Sequence, residues 1–281
     1  MIRGRRHVSV AVRRPDGGIA SLCQPLSGLY TGRLRRFALV RGVIVLLETM
    51  TLGMRALTYS ANVGMEAEGE ELGKGAIAGM IGFALLFAIG LFFLVPLLAS
   101  KSFEGALGSD LAANLAEGAL RLAIFLAYIL LIGRMAQIRR VFMYHGAEHM
   151  TVHAQERGEP LNVQTVRKYP AAHPRCGTAF LLVVLVVSVV VFAFVGREPL
   201  WWLITSRIVL IPVIASASYE VIRFSGRHAD NRLVALVTAP SLALQALTTR
   251  APDDDQIEIA IAAMNGAVEA DEGAITPSAS D

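Results

Sequence analysis

The sequence predicts a mainly α-helical, polytopic membrane protein with four transmembrane helices, a small N-terminal β element and a cytosolic helical region. Three observations carry that prediction. Hydrophobic residues make up 54% of the 281 positions and charged residues only 17%, with a mean hydropathy of +0.53. Soluble domains run nearer ~45–50% and ~25%, so the surplus apolar surface needs a bilayer to cover it. Residues 76–99 contain no charged side chain, and lysine and arginine crowd into the single stretch 134–175 between apolar runs. A net charge of +3, dispersed along the chain, makes no nucleic-acid-binding surface, so no nucleic-acid partner is expected. The same composition excludes a disordered chain and, with two distant cysteines, a disulfide scaffold.

Residues 1–35 read as a β hairpin: Val8, Val10 and Val12 alternate, Pro15-Asp16-Gly17-Gly18 supplies a turn, and Ile19–Cys23 returns. The arginine-rich start is followed by no signal-like apolar run within thirty residues, so this segment is expected in the cytosol without a cleaved leader. Two unpaired-looking cysteines, Cys23 and Cys176, fit that reducing side. Residues 36–60 predict an amphipathic helix resting on the membrane or on protein, because Arg41, Glu48 and Arg55 recur at intervals that put them on one stripe.

A glycine- and glutamate-rich link (Glu66, Glu68, Glu70, Glu71) leads to the first two predicted spans, Ala76–Ala99 and Leu111–Gly133 within 76–133. The third and fourth, Ala179–Val195 and Leu200–Ser216, fill 179–217. Glu117 and Arg121 stand four residues apart inside the second span, where pairing lowers the cost of entering lipid. Arg207 lies at nearly the same depth in the fourth, which predicts a contact with Glu117; interhelical pairing is favoured over a transport pathway. Between spans two and three lie Arg134, Arg139, Arg140, Arg157, Arg167, Lys168 and Arg175, against only Lys101 and Arg197 in the short opposite loops. The positive-inside rule then places both termini and the segment 134–178 in the cytosol, in a multi-pass plasma-membrane protein.

Residues 218–269 predict cytosolic or interfacial helices. Leu233–Thr248 is interrupted by Pro240 and reads as a helix pair. Asp253–Asp255 offer N-caps to a helix whose Ile257, Ile261, Met264 and Val268 share a face. The small and acidic residues 270–281 predict a disordered tail.

The chemistry concentrates in Tyr144-His145-Gly146-Ala147-Glu148-His149. On a helix His145 and His149 project from one face with Glu148 beside them, the H-x-x-E-H spacing in which two imidazoles hold an ion and the glutamate acts as general base. Two histidines do not complete a zinc site. His173-Pro174-Arg175-Cys176-Gly177, just before the third span, can supply His173 and Cys176 from a turn. Together the four offer N/N/N/S ligation, suited to zinc or another borderline metal. His153, one turn further along the helix, and Glu220, where the fourth span returns to the cytosol, can each replace a member of that set. A structural site and a catalytic site with Glu148 as base are both compatible with this pattern.

The phrases YHGAEH at Tyr144–His149, HPRCGTAF at His173–Phe180, SYE at Ser218–Glu220 and QALTTRAPDDDQIEIAI at Gln245–Ile261 together resemble the bacterial YqhQ-like membrane proteins, from about Gly32 to Gly266. That family carries a domain of unknown function, and the resemblance implies metal dependence for the His/Glu/Cys residues without supplying a reaction. The chain departs from the family in its glycine-rich opening, which here reads GGIASLCQPLSGLYTG, and in Met150, where a lysine is common.

Three functions follow as expectations. The first is a membrane-anchored, zinc-dependent hydrolase. The second is a non-enzymatic module whose structural metal pins the cytosolic loop while the helices bind or help assemble other membrane proteins. The third, a transporter, needs paired broken helices, at which only Pro96 and Pro212 hint.

Overall fold

The computed structural model describes residues 1–65, 73–173, 176–228 and 231–273. The glutamate-rich link, Pro174, Arg175 and the tail beyond residue 273 lie outside the described residues.

Strands β1 (Ile2–Arg3), β2 (His7–Arg13) and β3 (Ile19–Pro25) form an antiparallel sheet in the order β1-β2-β3. The expected hairpin is present, Val10 facing Leu22 across β2 and β3, with an extra strand before it. Both faces of β2 are buried, Val8 and Val10 on one side and Ser9 and Ala11 on the other. An alternating strand normally leaves one face wet, so each face needs a cover.

A short turn of helix α1 (Gly28–Thr31) leads to α2 (Ala38–Met65), which supplies the first cover: Leu52 packs with Val8 and Leu26. The charged stripe of α2 faces protein. Glu48 is buried and accepts from Arg3 Nε at 2.8 Å and Arg35 Nη1 at 3.2 Å. Arg41 donates through Nε and Nη2 to the carboxylate of Glu220 on a later helix (Ile211–Arg227), which packs along α2. Gly42 permits that packing, since a Cβ there would stand 2.6 Å from the Ser216 Cα.

The first apolar helix runs through α3 (Lys74–Ile89), a π turn (Gly90–Leu94) and α4 (Val95–Leu107). Left-handed Gly108 ends it, and Ser109 caps α5 (Asp110–Ile132) by accepting from Ala112 N. Among the described residues, two helices are long and apolar enough to cross a membrane, Gly75–Leu107 and Asp110–Ile132.

Next come α6 (Ala136–Glu156), the single turn α7 (Val163–Val166), α8 (Gly177–Ala193), α9 (Leu200–Val209) and α10 (Ile211–Arg227). Of the four expected spans, length and composition support two or three among the described residues. In α8 the apolar stretch is Phe180–Ala193, about 21 Å at ~1.5 Å per residue, against a hydrocarbon thickness of about 30 Å. The expected fourth span is two helices bent by 43° at Leu210, and it adds a third crossing only if the pair acts as one. Pro212 accounts for the break: it has no N–H for the Ile208 carbonyl.

Helix α11 (Arg232–Thr248) continues through Pro240 as one helix, where the sequence suggests a pair. An internal proline removes one hydrogen bond without forcing a break when neighbouring helices support the backbone. Helix α12 (Asp254–Asp271) starts at the expected place, with a reciprocal capping box between Asp253 and Gln256. It is the second cover of the sheet and also packs on α6. Ile259, Ala263 and Met264 meet Ile2 and Ala11, while Ile257 and Ala260 meet Ala147, Met150 and Val166. Met150, the family's usual lysine position, is thus a core residue.

The expected tail begins later than residue 270. Asp271, inside α12, accepts from the backbone N–H of Arg5, Arg6 and His7 and lies 2.9 Å from His7 Nδ1. Burial opposes ionisation of this carboxyl, but these donors outweigh it and hold Asp271 below the usual carboxylate range.

Candidate metal centre

Helix α6 presents His145 and His149 one turn apart on the face it turns toward α8 and the end of α11, their ring centroids 4.4 Å apart. Gly146 allows the close approach that this requires: a Cβ there would lie 2.2 Å from the Arg250 carbonyl oxygen. Arg250 N in turn donates to the Phe142 carbonyl at 3.0 Å, pinning the strand-like exit of α11 onto α6. Thr248 is thereby set against His145, whose Nδ1 sits 2.9 Å from the Thr248 carbonyl. His149 Nδ1 sits 2.6 Å from the Ala171 carbonyl. A carbonyl can only accept, so each ring donates through Nδ1 and keeps Nε2 with a lone pair.

Cys176 completes the group. Its backbone N–H closes a turn on the His173 carbonyl at 3.2 Å, and its Sγ lies 3.2 Å from His145 Nε2. One ligand atom from each of His145, His149 and Cys176 falls within 4.8 Å of the others. A tetrahedral ion with bonds of about 2.0–2.3 Å separates its ligands by roughly 3.3–3.8 Å, so the triangle needs to close by no more than about 1.5 Å. Two carbonyl-oriented imidazoles and a thiol are a donor set that fits zinc or a similar borderline ion. Burial pushes the His145 imidazolium down, but the hydrogen bond and charge of the Cys176 sulfur and the Thr248 carbonyl outweigh it, and the net displacement is upward.

Of the four expected ligands the structure groups three. His173 stays outside the triangle although its ring centroid is 5.9 Å from that of His149: its Nε2 lies 3.4 Å from Glu156, with the His153 ring centroid at 4.4 Å. Burial and then the His153 charge hold His173 below its ordinary pKa, against Glu156. Gln245 clamps its backbone in both directions at 2.9 Å. His153 gives Nε2 to the Ala172 carbonyl at 2.9 Å and stacks on Tyr169. Glu220, the other alternative ligand, is committed to Arg41 on α2. Sequence reasoning missed the roles of Gln245 and Thr248, although both stand in the recurring phrase that begins at Gln245.

Glu148 is half-exposed and faces a different direction, its carboxylate 3.7 Å from the Met1 nitrogen. It lines a cavity of about 680 Å³ between α2, the sheet, α6 and α12. His145 lines the same cavity, so one residue joins the cavity to the ligand triangle.

A second polar cluster lies among the apolar helices. Glu117 accepts from Arg121 Nη2 at 2.6 Å, from Arg197 Nη1 at 2.8 Å and from Arg207 Nη2 at 3.1 Å. Asn114 Oδ1 accepts from Arg197 and Arg207 at 2.9 and 2.8 Å. The contact between Glu117 and Arg207 is the one their matched depths predict. Arg197, expected in an outer loop, is fully buried and joins them because Glu104, Asn114 and Ser100 also receive its donors. Arg121 reaches the Phe92 carbonyl in the π turn at 3.0 Å, where the widened helix leaves an acceptor available.

Residues 37–270 match a family described as protein of unknown function, DUF1385. The uncharacterized protein YqhQ of Bacillus subtilis (strain 168) is 30% identical over 281 aligned positions, covering 94% of this chain and 88% of that one. No solved structure matches. The match spans α2 to α12 and so includes both polar clusters: the chain belongs to the DUF1385, YqhQ-like family.

Proposed function

We propose that this protein is a multi-pass membrane hydrolase whose catalytic ion, of zinc type, is held on the cytosolic side by His145, His149 and Cys176. The orientation rests on the arginines of 134–175 and places both termini in the cytosol. The observation that carries the reading is the three-ligand triangle with Nδ1 of both histidines given to carbonyls, joined through His145 to a cavity. Three protein ligands leave a coordination position for water, the arrangement of catalytic rather than structural zinc. When bound, such an ion supplies Lewis acidity and lowers the pKa of its water toward neutrality. The chain's own part is to fix both imidazoles through Thr248 and Ala171, to shield the sulfur of Cys176, and to hold Glu148 in the cavity as a proton acceptor.

One observation favours a second reading, a structural pin within a non-enzymatic membrane module: Glu148 lies beside Met1 and outside the ligand triangle. Cobalt substitution separates the two. The hydrolase reading expects about one metal per chain, a thiolate-to-cobalt absorption lost in Cys176→Ser, and visible bands that move when azide enters the remaining position. Metal with bands insensitive to azide would favour the pin; no stoichiometric metal would remove both.

A further inference from the structure

The 680 Å³ cavity does not end at the metal triangle. Its charged lining consists of Arg13, Arg14, Arg140 and Glu148, so cationic side chains outnumber anionic ones, with His145 and Tyr144 between them. Arg13 is already engaged, 2.9 Å from Glu258. Arg140 is exposed, its guanidinium 6.0 Å from the Tyr144 ring centroid. The cavity shares one lining residue, Leu57, with a second space of about 430 Å³, and that one is lined only by apolar residues and Thr58. This groove lies between α2 and α3, with Met54 and Ala61 on one wall and Ile77, Met80 and Ala84 on the other.

The geometry fits one kind of occupant. The α3 wall from Ile77 to Leu85 rises about 12 Å at ~1.5 Å per residue, close to the ~15 Å hydrocarbon depth of one leaflet. It belongs to the first three turns of the first membrane-crossing helix, so the groove descends from the interface into the hydrocarbon. A soluble anion would use the arginines and leave the groove unused. A neutral lipid would use the groove and gain nothing from the arginines. We infer that cavity and groove together bind one anionic membrane phospholipid, its phosphate among Arg13, Arg14 and Arg140 and an acyl chain along Ile77–Leu85. As a ligand site this stands on the two spaces alone. That the lipid is the substrate class of the metal centre rests on the hydrolase reading, since the head group would then lie beside His145 and Glu148.

The test uses the full-length protein in non-ionic detergent, titrated with fluorescent dioleoyl phosphatidic acid, with the dioleoylglycerol that lacks the phosphate, and with glycerol 3-phosphate that lacks the chains. Phosphatidic acid should bind at least about tenfold more tightly than either, because a charge-assisted contact and the buried chain each contribute on that scale. Arg140→Ala should reduce the preference over dioleoylglycerol severalfold, and Ala84→Trp should weaken the lipid but not glycerol 3-phosphate. If Ala84→Trp does not fold, Arg140→Ala still decides. Equal binding of phosphatidic acid and dioleoylglycerol would mean ordinary lipid contact and would overturn the inference; so would glycerol 3-phosphate binding as tightly as the lipid. His149→Ala should leave lipid binding within about twofold. Lipid selectivity in a protein that holds no metal would uphold this site and defeat the hydrolase, and bound metal without selectivity would overturn this site and leave the hydrolase to the azide test.

Discussion

Gly146 on α6 and Arg250, just past the end of α11, are in backbone contact: a Cβ on Gly146 would stand 2.2 Å from the Arg250 carbonyl oxygen. Backbone cannot swing aside as a flexible side chain can. Gly146→Ala should therefore part α6 from the exit of α11, costing about 1–3 kcal/mol as overpacking does, and move Thr248 away from His145. Thermal unfolding and metal retention should both fall. Gly105→Ala in α4 is the control, because nothing lies within 4 Å of its added methyl; alanine's better helix propensity should leave it neutral or more stable by up to ~1 kcal/mol.

The ligand triangle and the glutamate beside it should separate under mutation. His149→Ala should release the metal and expose residues 161–173 to protease, since the turn ending at Cys176 loses its tie to α6. Glu148→Gln should keep both metal and protection while abolishing hydrolysis, because an amide does not accept the water's proton. Metal analysis and limited proteolysis on the same preparations check this, and loss of metal from Glu148→Gln would place the glutamate among the ligands.

Removing Glu117 leaves Arg121, Arg197 and Arg207 without their shared carboxylate. Breaking a buried pair from one side typically costs about 3–5 kcal/mol, so Glu117→Ala should lose most of its folded yield. Lys101→Ala, whose partners are the more exposed Glu104 and Glu198, should cost under ~1 kcal/mol. Melting temperatures in detergent compare the two.

Asp271 makes the docking of the N-terminal sheet depend on acidity. Its folded pKa lies below its ordinary value, so the stabilisation is fully present above the ordinary carboxylate range, near pH 4, and is lost as pH falls through the folded value. Protection of the amides of Arg5, Arg6 and His7 against hydrogen exchange, taken relative to the intrinsic rate at each pH, should fall below about pH 4. Asp271→Asn should show fast exchange already at neutral pH, with little further change on acidification.

Topology is checked by labelling with a membrane-impermeant thiol reagent. Cysteines at Gly105 and Glu198 should react from outside the cell and one at Pro160 only after permeabilisation. The reverse pattern would discard the cytosolic placement of the metal centre.

Local patterns in the sequence predicted local structure well. Alternating valines gave the hairpin, Asp253 with Gln256 gave the start of α12, and the equal depths of Glu117 and Arg207 gave their contact. The i, i+4 spacing likewise gave the face that carries His145 and His149. What stayed illegible depends on long-range packing. His173 is drawn to Glu156 and Gln245 by a turn whose direction no spacing encodes, and Arg197 is drawn inward by acceptors on two helices, α4 and α5. The stripe of Arg41 and Glu48 is read correctly as polar, but only the fold shows that its partners are Glu220 and Arg3. The break at Leu210 was hinted at only by Pro212, since proline can sit in the first turn of a new helix or inside a continuous one, as Pro240 does.

The capping of Arg5, Arg6 and His7 by Asp271 has a temporal side. A ribosome emits the chain from one end at about 5–20 residues per second, so β2 waits some tens of seconds before the helix that covers its second face exists. Within that interval the apolar helices are made one after another, and α6 carries His145 and His149 without α12 behind it. The apolar helices are thus made before the sheet gains its second cover, and Asp271 joins an early strand to a late helix. A truncation that removes α12 should accordingly leave an inserted protein that still spans the membrane but never assembles its sheet.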